Sequence, residues 1–351
     1  MDYARLTDAA ADAAADAIAD ALAGNVRGIA VATSGSTGQP AEVLVSADAL
    51  RASAGATAAH LGAEGHWLLA LPTDRIAGAM VVVRARVAGA CLVGVGPGAF
   101  TADAFAATAD RLPGDGPRLT SLVPTQLKRV MDSPHGADAL ASFATVLVGG
   151  AALGFEPPAN VVRTYGLTET AGGCVYDGVP IGDTAVRVDD QGRVLIAGSC
   201  LADAYRPERP DAWAEHDGLR WLVTSDLGEW ASDGRLRILG RVDDVITTGG
   251  FKVNPRTVEH ALDTQEWVKD CAVVGVPHPE WGEAVVAFVV PTALDQMRKL
   301  HELRTSLKPL VARHELPREL VVVETLPRLT TGKVDYRTLR SVAANVERNT
   351  P

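Results

Sequence analysis

One polar segment near the start of the chain has the residue types that bind phosphate. It reads Thr33-Ser34-Gly35-Ser36-Thr37-Gly38-Gln39-Pro40 and leaves a predicted strand. Its hydroxyl and backbone N–H groups could surround phosphate oxygens, and its glycines permit the dihedral angles that such a loop needs. It is not a Walker A motif, because no Gly-Lys-Ser/Thr closes it. Alone, it fits a polar surface loop equally well, since Ser, Thr and Gly are common in loops.

A second segment, Tyr165-Gly166-Leu167-Thr168-Glu169-Thr170, combines three kinds of chemistry in one short turn. The ring of Tyr165 suits a purine, the hydroxyl of Thr168 suits a phosphate oxygen, and the carboxylate of Glu169 suits a magnesium ion. Alone, the segment also fits an ordinary turn.

Three further segments lie in the second half of the chain. Asp226 offers a carboxylate that could accept hydrogen bonds from both hydroxyls of a ribose. Arg241 lies shortly before the flexible pair Gly249-Gly250, and Lys333 lies on a Gly-bearing loop near the end. Each segment alone also fits a hairpin, a surface ion pair or a solvated lysine.

The order of predicted elements shows what must hold these segments in place. From Gly28 to about Tyr165, short β-rich runs alternate with Ala-rich helical segments, which predicts a layered α/β domain with a largely parallel sheet. Short strands separated by Asp-Gly and Gly turns follow between Ala185 and Ile246 and predict a small antiparallel β unit. The last part predicts a small α+β domain, so we expect a large domain over 1–240 and a small mobile one over 241–351.

Composition and charge limit the classes of function. The 351 residues are 47% hydrophobic and 22% charged, which is ordinary for a globular protein, and the net charge of -10 argues against a general nucleic-acid surface. The four cysteines are scattered and indicate neither a zinc site nor a disulfide framework, so a reducing cytoplasm is expected. Neither a signal peptide nor a membrane-inserted segment is predicted. A monomer and a homodimer both stay open.

Together and in this order, the segments resemble the core motifs of the adenylate-forming superfamily, which includes acyl-CoA synthetases, luciferases and peptide-synthetase adenylation domains. The resemblance extends from about Ile29 to Leu339. It implies that ATP, Mg²⁺ and coenzyme A are co-substrates and that the protein is an ATP-dependent, AMP-forming acid–thiol ligase. It assigns the ATP and AMP contacts to Thr33, Ser34, Gly35, Ser36, Thr37, Gly38, Gly149, Gly150, Ala151, Tyr165, Gly166, Asp226 and Arg241.

The same resemblance assigns the remaining roles. It implies that Thr168 contacts phosphate, that Glu169 coordinates magnesium and that Lys333 assists adenylation. It further implies that Asp243 is the hinge between the domains, and that Gly249 and Gly250 border the tunnel for the pantetheine arm of coenzyme A.

The sequence departs from the family pattern in two ways. Family members usually have a lysine where this chain has Ala41, and Glu42 adds a negative charge beside that position. The chain also begins almost at the phosphate loop, without the N-terminal subdomain of longer members. In this it resembles the short bacterial ligases that activate 2-succinylbenzoate for menaquinone synthesis.

That subgroup resemblance predicts how a dicarboxylate is held. One carboxylate reacts while the other needs a fixed cation, and Arg84 is the candidate because Arg can bind a carboxylate through two parallel hydrogen bonds. Thr125 and Gly173 are assigned to the same acid pocket. Where the subgroup commonly has a histidine pair, this chain has Asp74-Arg75. Another acyl or aryl acid, a stand-alone adenylation domain and a non-catalytic binding protein therefore remain alternatives.

Overall fold

The structure is a computed structural model that describes residues 2–6, 11–33, 41–293, 298–328 and 334–347. The chain divides into two compact units. Unit 1 comprises residues 1–224 and 230–237, and unit 2 comprises residues 225–229 and 238–351. The domain boundary expected between residues 240 and 241 stays a prediction.

Strands make up most of the regular structure. They are β1 (Tyr3–Arg5), β2 (Gly28–Thr33), β3 (Ala41–Ser46), β4 (His66–Leu69), β5 (Leu92–Gly94), β6 (Arg118–Leu122), β7 (Thr145–Gly149), β8 (Val161–Leu167), β9 (Gly172–Tyr176), β10 (Val179–Pro180), β11 (Ala185–Val188), β12 (Arg193–Ala197), β13 (Ala204–Arg206), β14 (Trp213–His216), β15 (Leu219–Trp230), β16 (Leu236–Arg241), β17 (Ile246–Thr248), β18 (Phe251–Val253), β19 (Val268–His278), β20 (Gly282–Pro291) and β21 (Glu319–Val322).

The helices are α1 (Ala11–Ala23), α2 (Ala47–Leu61), α3 (Ile76–Val87), α4 (Ala102–Ala109), α5 (Pro124–Met131), α6 (Pro134–Ala141), α7 (Pro255–Asp263), α8 (Leu300–Leu307) and α9 (Tyr336–Glu347). Local sequence explains several of their ends. The hydroxyl of Ser46 caps α2 by accepting from Ala49 N, and Gly62 ends that helix at a φ of 63°. Asn254 caps α7 and is followed by a proline in the first turn.

Two of the sheets in unit 1 pack against one buried helix. The first has the order β1-β2-β3-β13, and the second has the order β10-β9-β8-β7-β6-β4-β5. Strands β5, β4, β6, β7 and β8 are parallel, which confirms the predicted parallel sheet, and β9 and β10 complete it in antiparallel fashion.

Helix α3 connects the cores of these two sheets. Its residues from Gly78 to Ala85 are all buried, as is typical of a helix that is apolar on every side. Met80 and Val83 pack in the cluster that contains the core of β2 and β3. Val81 and Ala85 pack instead with residues of β4, β6 and β7. Polar groups on α3 are therefore placed between the two sheets.

A third sheet has the order β11-β12-β15-β14, with β16 beside β15. The pairs β11–β12 and β14–β15 are antiparallel, which confirms the predicted antiparallel β unit.

Unit 2 is a small α+β body. Strands β18, β17, β20 and β19 form an antiparallel sheet, and β21 joins β20 in parallel. The helices of this unit are α7, α8 and α9. The fold class is thus confirmed, with a large α/β body followed by a small α+β body. In the described part of the chain, no helix combines the length and apolar character that crossing a bilayer requires.

Candidate functional site

The predicted adenine-binding residues lie where two parallel strands of unit 1 end. Gly149 is the last residue of β7 and pairs in register with Thr164 of β8. A Cβ at Gly149 would lie 2.5 Å from Thr164 Oγ1, so only glycine fits there. Gly150 follows with a φ of 86°, in the left-handed region that favours glycine. Gly149 is therefore required by the close approach of Thr164, and Gly150 by its backbone conformation. Tyr165 is the next residue of β8 after Thr164.

The segment after Tyr165 forms a tight turn. A Cβ at Gly166 would lie 1.9 Å from the carbonyl oxygen of Gly172, because β8 and β9 approach closely at a register shift. Thr168 and Glu169 then form a single 3₁₀ turn that ends at Ala171, whose φ is 47°. The turn presents the Thr168 hydroxyl and the Glu169 carboxylate from adjacent positions, as the sequence predicts.

Glu169 is held in place by a residue from another strand. The hydroxyl of Tyr205, on β13, donates to Glu169 Oε1 at 2.6 Å, and Ala202 N donates to the Glu169 carbonyl at 2.7 Å. Burial, and then the nearby Glu169 carboxylate, raise the pKa of Tyr205 above its usual range. Tyr205 therefore stays protonated near neutral pH and can donate to Glu169 there.

The Glu169 carboxylate fits a magnesium ion that arrives with a nucleotide. Mg²⁺ usually takes one or two protein carboxylates and completes its shell with phosphate oxygens and water. Glu169 keeps one oxygen, Oε2, that no described residue contacts by a hydrogen bond or ion pair. The described residues form no cluster of three or more His, Cys, Asp or Glu side chains that would hold a metal without a substrate.

The phosphate loop joins β2 to β3. Ser34, Gly35, Ser36, Thr37 and Gly38 lie outside the described residues, so their role stays a prediction. Thr33 ends β2, and its hydroxyl donates to the carbonyl oxygen of Ala41, the first residue of β3, at 3.1 Å. This bond closes the stem of the loop.

The structure changes the interpretation of Glu42. Successive strand residues point to opposite faces, so Glu42 points away from the buried face that carries Ala41 and Val43. Its carboxylate pairs with Arg5 at 2.6 Å and with Arg206 at 2.8 Å. The charge of Glu42 is therefore compensated on the side of the sheet opposite to the side chain of Ala41, and its effect on bound phosphate stays a prediction.

Arg84 lies on α3 near Gly172, the neighbour of the predicted acid-binding Gly173. Its side chain is buried, and Nη2 donates to the hydroxyl of Tyr176 at 3.4 Å. The ring of Trp67 lies 5.5 Å from the guanidinium carbon, at cation–π distance. A Cβ at Gly172 would lie 4.0 Å from Arg84 Nη2, and one at Gly173 would lie 2.9 Å from the Tyr176 ring. The structure thus brings Arg84 and Gly173 to the same place.

Thr125 lies in a different environment. It is the second residue of α5 and lines a surface cleft of about 530 Å³. The lining also includes Thr101, Lys128, Arg129 and Ser133, but neither Arg84 nor Gly173. The assignment of Thr125 to the acid pocket stays a prediction.

In unit 2, the predicted ribose pair is assembled. Asp226 is buried, and Arg241 Nη1 donates to its Oδ1 at 3.1 Å. Arg241 Nη2 reaches Asp243 Oδ2 at 3.3 Å, within the short 3₁₀ turn Val242–Asp244. Arg241 therefore ties the predicted ribose carboxylate to the predicted hinge residue. The hinge function itself stays a prediction.

Gly249 and Gly250 form the two-residue turn of the hairpin β17–β18. Their φ angles are 57° and 81°, as a type I′ turn requires, and Thr248 pairs with Phe251 across it. A Cβ at Gly249 would lie 2.9 Å from the ring of Trp281. The turn explains the glycines structurally, and their contact with coenzyme A stays a prediction. Lys333 lies outside the described residues.

Comparison with known proteins identifies the family. The AMP-binding enzyme family matches residues 30–204, and the AMP-binding enzyme C-terminal domain matches residues 257–333. A protein of Mycobacterium tuberculosis named probable 2-succinylbenzoate–CoA ligase is 43% identical over 332 residues, covering 89% of this chain and 83% of that protein. The chain belongs to the AMP-binding enzyme family. The predicted membership of the adenylate-forming superfamily is confirmed.

More distant relatives agree. A 2-succinylbenzoate–CoA ligase of Enterococcus faecalis is 29% identical, covering 86% of this chain and 67% of that protein. Among solved structures, o-succinylbenzoate CoA synthetase of Bacillus subtilis with the acyl-adenylate OSB-AMP has a TM-score of 0.73 at 24% identity, covering 89% of this chain and 68% of that one. ATP-bound MatB of Rhodopseudomonas palustris has a TM-score of 0.79 at 24% identity, covering 91% and 68%. These structures share the fold.

Sequence reasoning missed Tyr205 and the two arginines of Glu42. Tyr205 is 36 residues from Glu169, and Arg206 is 164 residues from Glu42. The contacts of Tyr205 and Arg206 depend on the antiparallel pairing of β13 with β3, which no local sequence motif indicates. The alternation of buried and half-buried residues along β3 is the one signal that could have placed Glu42 away from Ala41.

Proposed function

We propose that this AMP-binding enzyme is an ATP-dependent acid:CoA ligase whose acid is 2-succinylbenzoate. Support comes from relatives named for that activity, one of them 43% identical. The proposal that the acid is a dicarboxylate rests on the environment of Arg84. Its side chain is 7% exposed, yet no carboxylate pairs with it among the described residues, and its buried Nε has no hydrogen-bond partner there.

A buried guanidinium without a counter-ion is costly. Desolvation of a charge is repaid only by an opposite charge or by several good hydrogen bonds. Arg84 has one long hydrogen bond, to Tyr176, and a cation–π contact with Trp67. An acid with two carboxylates would supply the missing anion through the carboxylate that does not react. A monocarboxylic acid would leave Arg84 unpaired.

The reaction follows in two halves. In the first, one carboxylate oxygen of the acid attacks the α-phosphorus of ATP, the bond to the bridging oxygen breaks, and pyrophosphate leaves. In the second, the thiol sulfur of coenzyme A attacks the acyl carbon, its proton is lost, and AMP leaves with the electrons of the acyl–oxygen bond.

The site residues are proposed to have separate roles in these two half-reactions. Thr168 is proposed to contact phosphate and Glu169 to hold the magnesium ion, and Tyr205 keeps the Glu169 carboxylate oriented. When bound, Mg²⁺ neutralises phosphate charge that develops in the first half. Lys333 is proposed to donate to the reacting oxygens in that half. Asp226, with Arg241, is proposed to bind the ribose.

The test is the selectivity of an Arg84→Met variant. Methionine keeps much of the apolar stem but removes the charge. Loss of a buried ion pair with a carboxylate is expected to cost about 2–4 kcal/mol, so kcat/KM for 2-succinylbenzoate should fall roughly thirty-fold to several hundred-fold. The KM values for ATP and coenzyme A should stay within about twofold. Arg86→Met, two residues further along the same helix and exposed, is the matched control.

Substrate analogues complete the test. Two monocarboxylate analogues of the acid each lack one carboxylate. The analogue that retains the reacting carboxylate should be a poor substrate for the native protein and nearly insensitive to Arg84→Met. Equal losses for every acid would refute the assignment of Arg84. Efficient turnover of a monocarboxylate by the native protein would refute the choice of a dicarboxylate and leave only acid:CoA ligase activity.

A further inference from the structure

Position 41 lacks the lysine that the family usually has, so the positive charge that would face the ATP phosphates there is missing. The phosphates of ATP carry several negative charges. At the stem of the phosphate loop, this chain has Ala41 where the family has a cation. Ala41 is 3% exposed and carries no polar group of its own. Since Glu42 points to the opposite face with its two arginines, those arginines do not supply the missing charge at Ala41 either.

One arginine lies on the correct face of the stem. Arg75 immediately precedes α3, and the first residue of that helix, Ile76, packs in the same apolar cluster as Val31 and Val43. Ala41 is on the same face of β3 as Val43, because the two are separated by one residue. Arg75 is therefore on the face of the β2–β3 hairpin that carries the side chain of Ala41.

The guanidinium of Arg75 contacts the stem directly. Its Nη1 donates to the carbonyl oxygen of Ala32 at 3.3 Å, and Ala32 is the residue before Thr33. Its Nε pairs with Asp74 Oδ2 at 3.2 Å. These two contacts fix the plane of the guanidinium. Among the described residues its Nη2 has no partner, although this group carries two N–H donors.

Helix stability does not explain an arginine here. Arg75 is the N-cap of α3, yet its side chain makes no capping hydrogen bond. Asp, Asn, Ser and Thr are the residues that stabilise this position. A cation at the positive end of a helix is also electrostatically unfavourable. The carboxylate of Asp74 offsets part of that disadvantage, and a bound anion would offset the rest.

We propose that Arg75 binds the β- and γ-phosphates of ATP in place of the cation that position 41 lacks, with its guanidinium shared between Asp74 and phosphate oxygen. Asp74 and the Ala32 carbonyl hold the guanidinium at the stem of the loop, and Nη2 donates to phosphate oxygen. Arg75 thus takes over a function that the family places on the loop itself. This inference rests on the proposed function for its relevance to catalysis, but it concerns nucleotide binding alone.

The test compares ATP with AMP. Dissociation constants are measured calorimetrically for the native protein, Arg75→Met and Arg75→Lys, without acid or coenzyme A. Arg75→Met should weaken ATP binding about tenfold to a hundredfold, because a charge-assisted contact to phosphate is lost. AMP has no β- or γ-phosphate, so its binding should change by less than about twofold. Arg75→Lys should fall between the native protein and Arg75→Met, since it keeps the charge but not the planar donors.

Arg51 offers a closely matched control. Its side chain is 44% exposed against 40% for Arg75, and it likewise pairs with a carboxylate, Asp48, and donates to a backbone carbonyl, that of Leu22. Arg51→Met should leave the binding of both nucleotides unchanged.

The outcomes separate the explanations. Equal weakening of ATP and AMP by Arg75→Met would show that the Ala32 contact only supports the loop, and unchanged ATP binding would also overturn the proposal. If Arg75→Met does not fold, Arg75→Gln serves for the same comparison. If the native protein binds ATP but releases no pyrophosphate with any acid, the proposed ligase function is refuted. The effect of Arg75→Met on ATP binding relative to AMP binding still tests the proposed role of Arg75. If the native protein binds no ATP, both fail.

Discussion

Replacing Tyr205 with phenylalanine isolates the hydrogen bond that orients Glu169. The substitution removes only the hydroxyl that donates to Glu169 Oε1 at 2.6 Å. The ring should keep its packing, since it is 8% exposed and lies between Trp213, with centroids 5.9 Å apart, and Arg209, 5.1 Å from the ring. The change therefore tests orientation rather than the core.

The expected magnitude follows from the type of bond. A hydrogen bond to a charged group contributes about 1.5–3 kcal/mol, so a Glu169 that loses its orientation should slow adenylation by roughly tenfold to a hundredfold. Because the pKa of Tyr205 is raised, its hydroxyl stays protonated and stabilises the native protein up to the ordinary tyrosine pKa of about 10. The stability difference between native protein and Tyr205→Phe should be constant from about pH 6 to 9 and shrink only above that range.

The assay is single-turnover pyrophosphate release at a series of Mg²⁺ concentrations. Tyr205→Phe should need more Mg²⁺ for half-maximal rate, whereas the KM for the acid should hardly change. Tyr3→Phe is the control, because it removes another tyrosine–carboxylate hydrogen bond in the same sheet, to Asp203. It should lower stability without changing the Mg²⁺ requirement. An identical Mg²⁺ requirement in Tyr205→Phe and the native protein would refute the orientation argument.

Two further predictions concern the second half of the chain. Lys333→Ala should abolish adenylation while largely sparing thioester formation from preformed acyl-adenylate, and equal loss of both half-reactions, measured separately, would rule out the proposed role. Glu259→Ala should lower the free energy of unfolding, measured by denaturant titration, by about 3–5 kcal/mol. The substitution removes a buried carboxylate and so leaves its donors Arg256, Tyr336 and the amide of Val273 without their acceptor. Tyr336→Phe should cost only about 1–2 kcal/mol, and comparable losses in the two variants would contradict that account.

Much of the fold could be predicted because its signals are local. Apolar runs such as Thr145–Gly149 indicate buried parallel strands, and Gly249-Gly250 between β-rich runs indicates a tight hairpin. The motif residues Gly149 and Gly166 also have local reasons, since a side chain at either would collide with a neighbouring strand. The sequence therefore predicts the segments that form the site.

The supporting contacts could not be predicted in the same way. Tyr205 reaches Glu169, and Arg5 and Arg206 reach Glu42, through strand pairings between distant parts of the chain. The position of Arg75 at the loop stem depends on how α3 packs under β2 and β3. Glu42 follows Ala41 in the sequence but lies on the other face of β3, because neighbouring strand residues point in opposite directions.

The most direct test of the central claim is the reaction itself. Purified native protein is incubated with ATP, Mg²⁺ and coenzyme A, with 2-succinylbenzoate or with a panel of other aryl and acyl acids, and products are identified by mass spectrometry. We predict AMP, pyrophosphate and the mono-coenzyme A thioester of 2-succinylbenzoate in equal amounts, with kcat/KM highest for this acid. Thioester formation with another acid at a higher kcat/KM would contradict the substrate assignment, and ATP binding without pyrophosphate release for any acid would contradict ligase activity altogether.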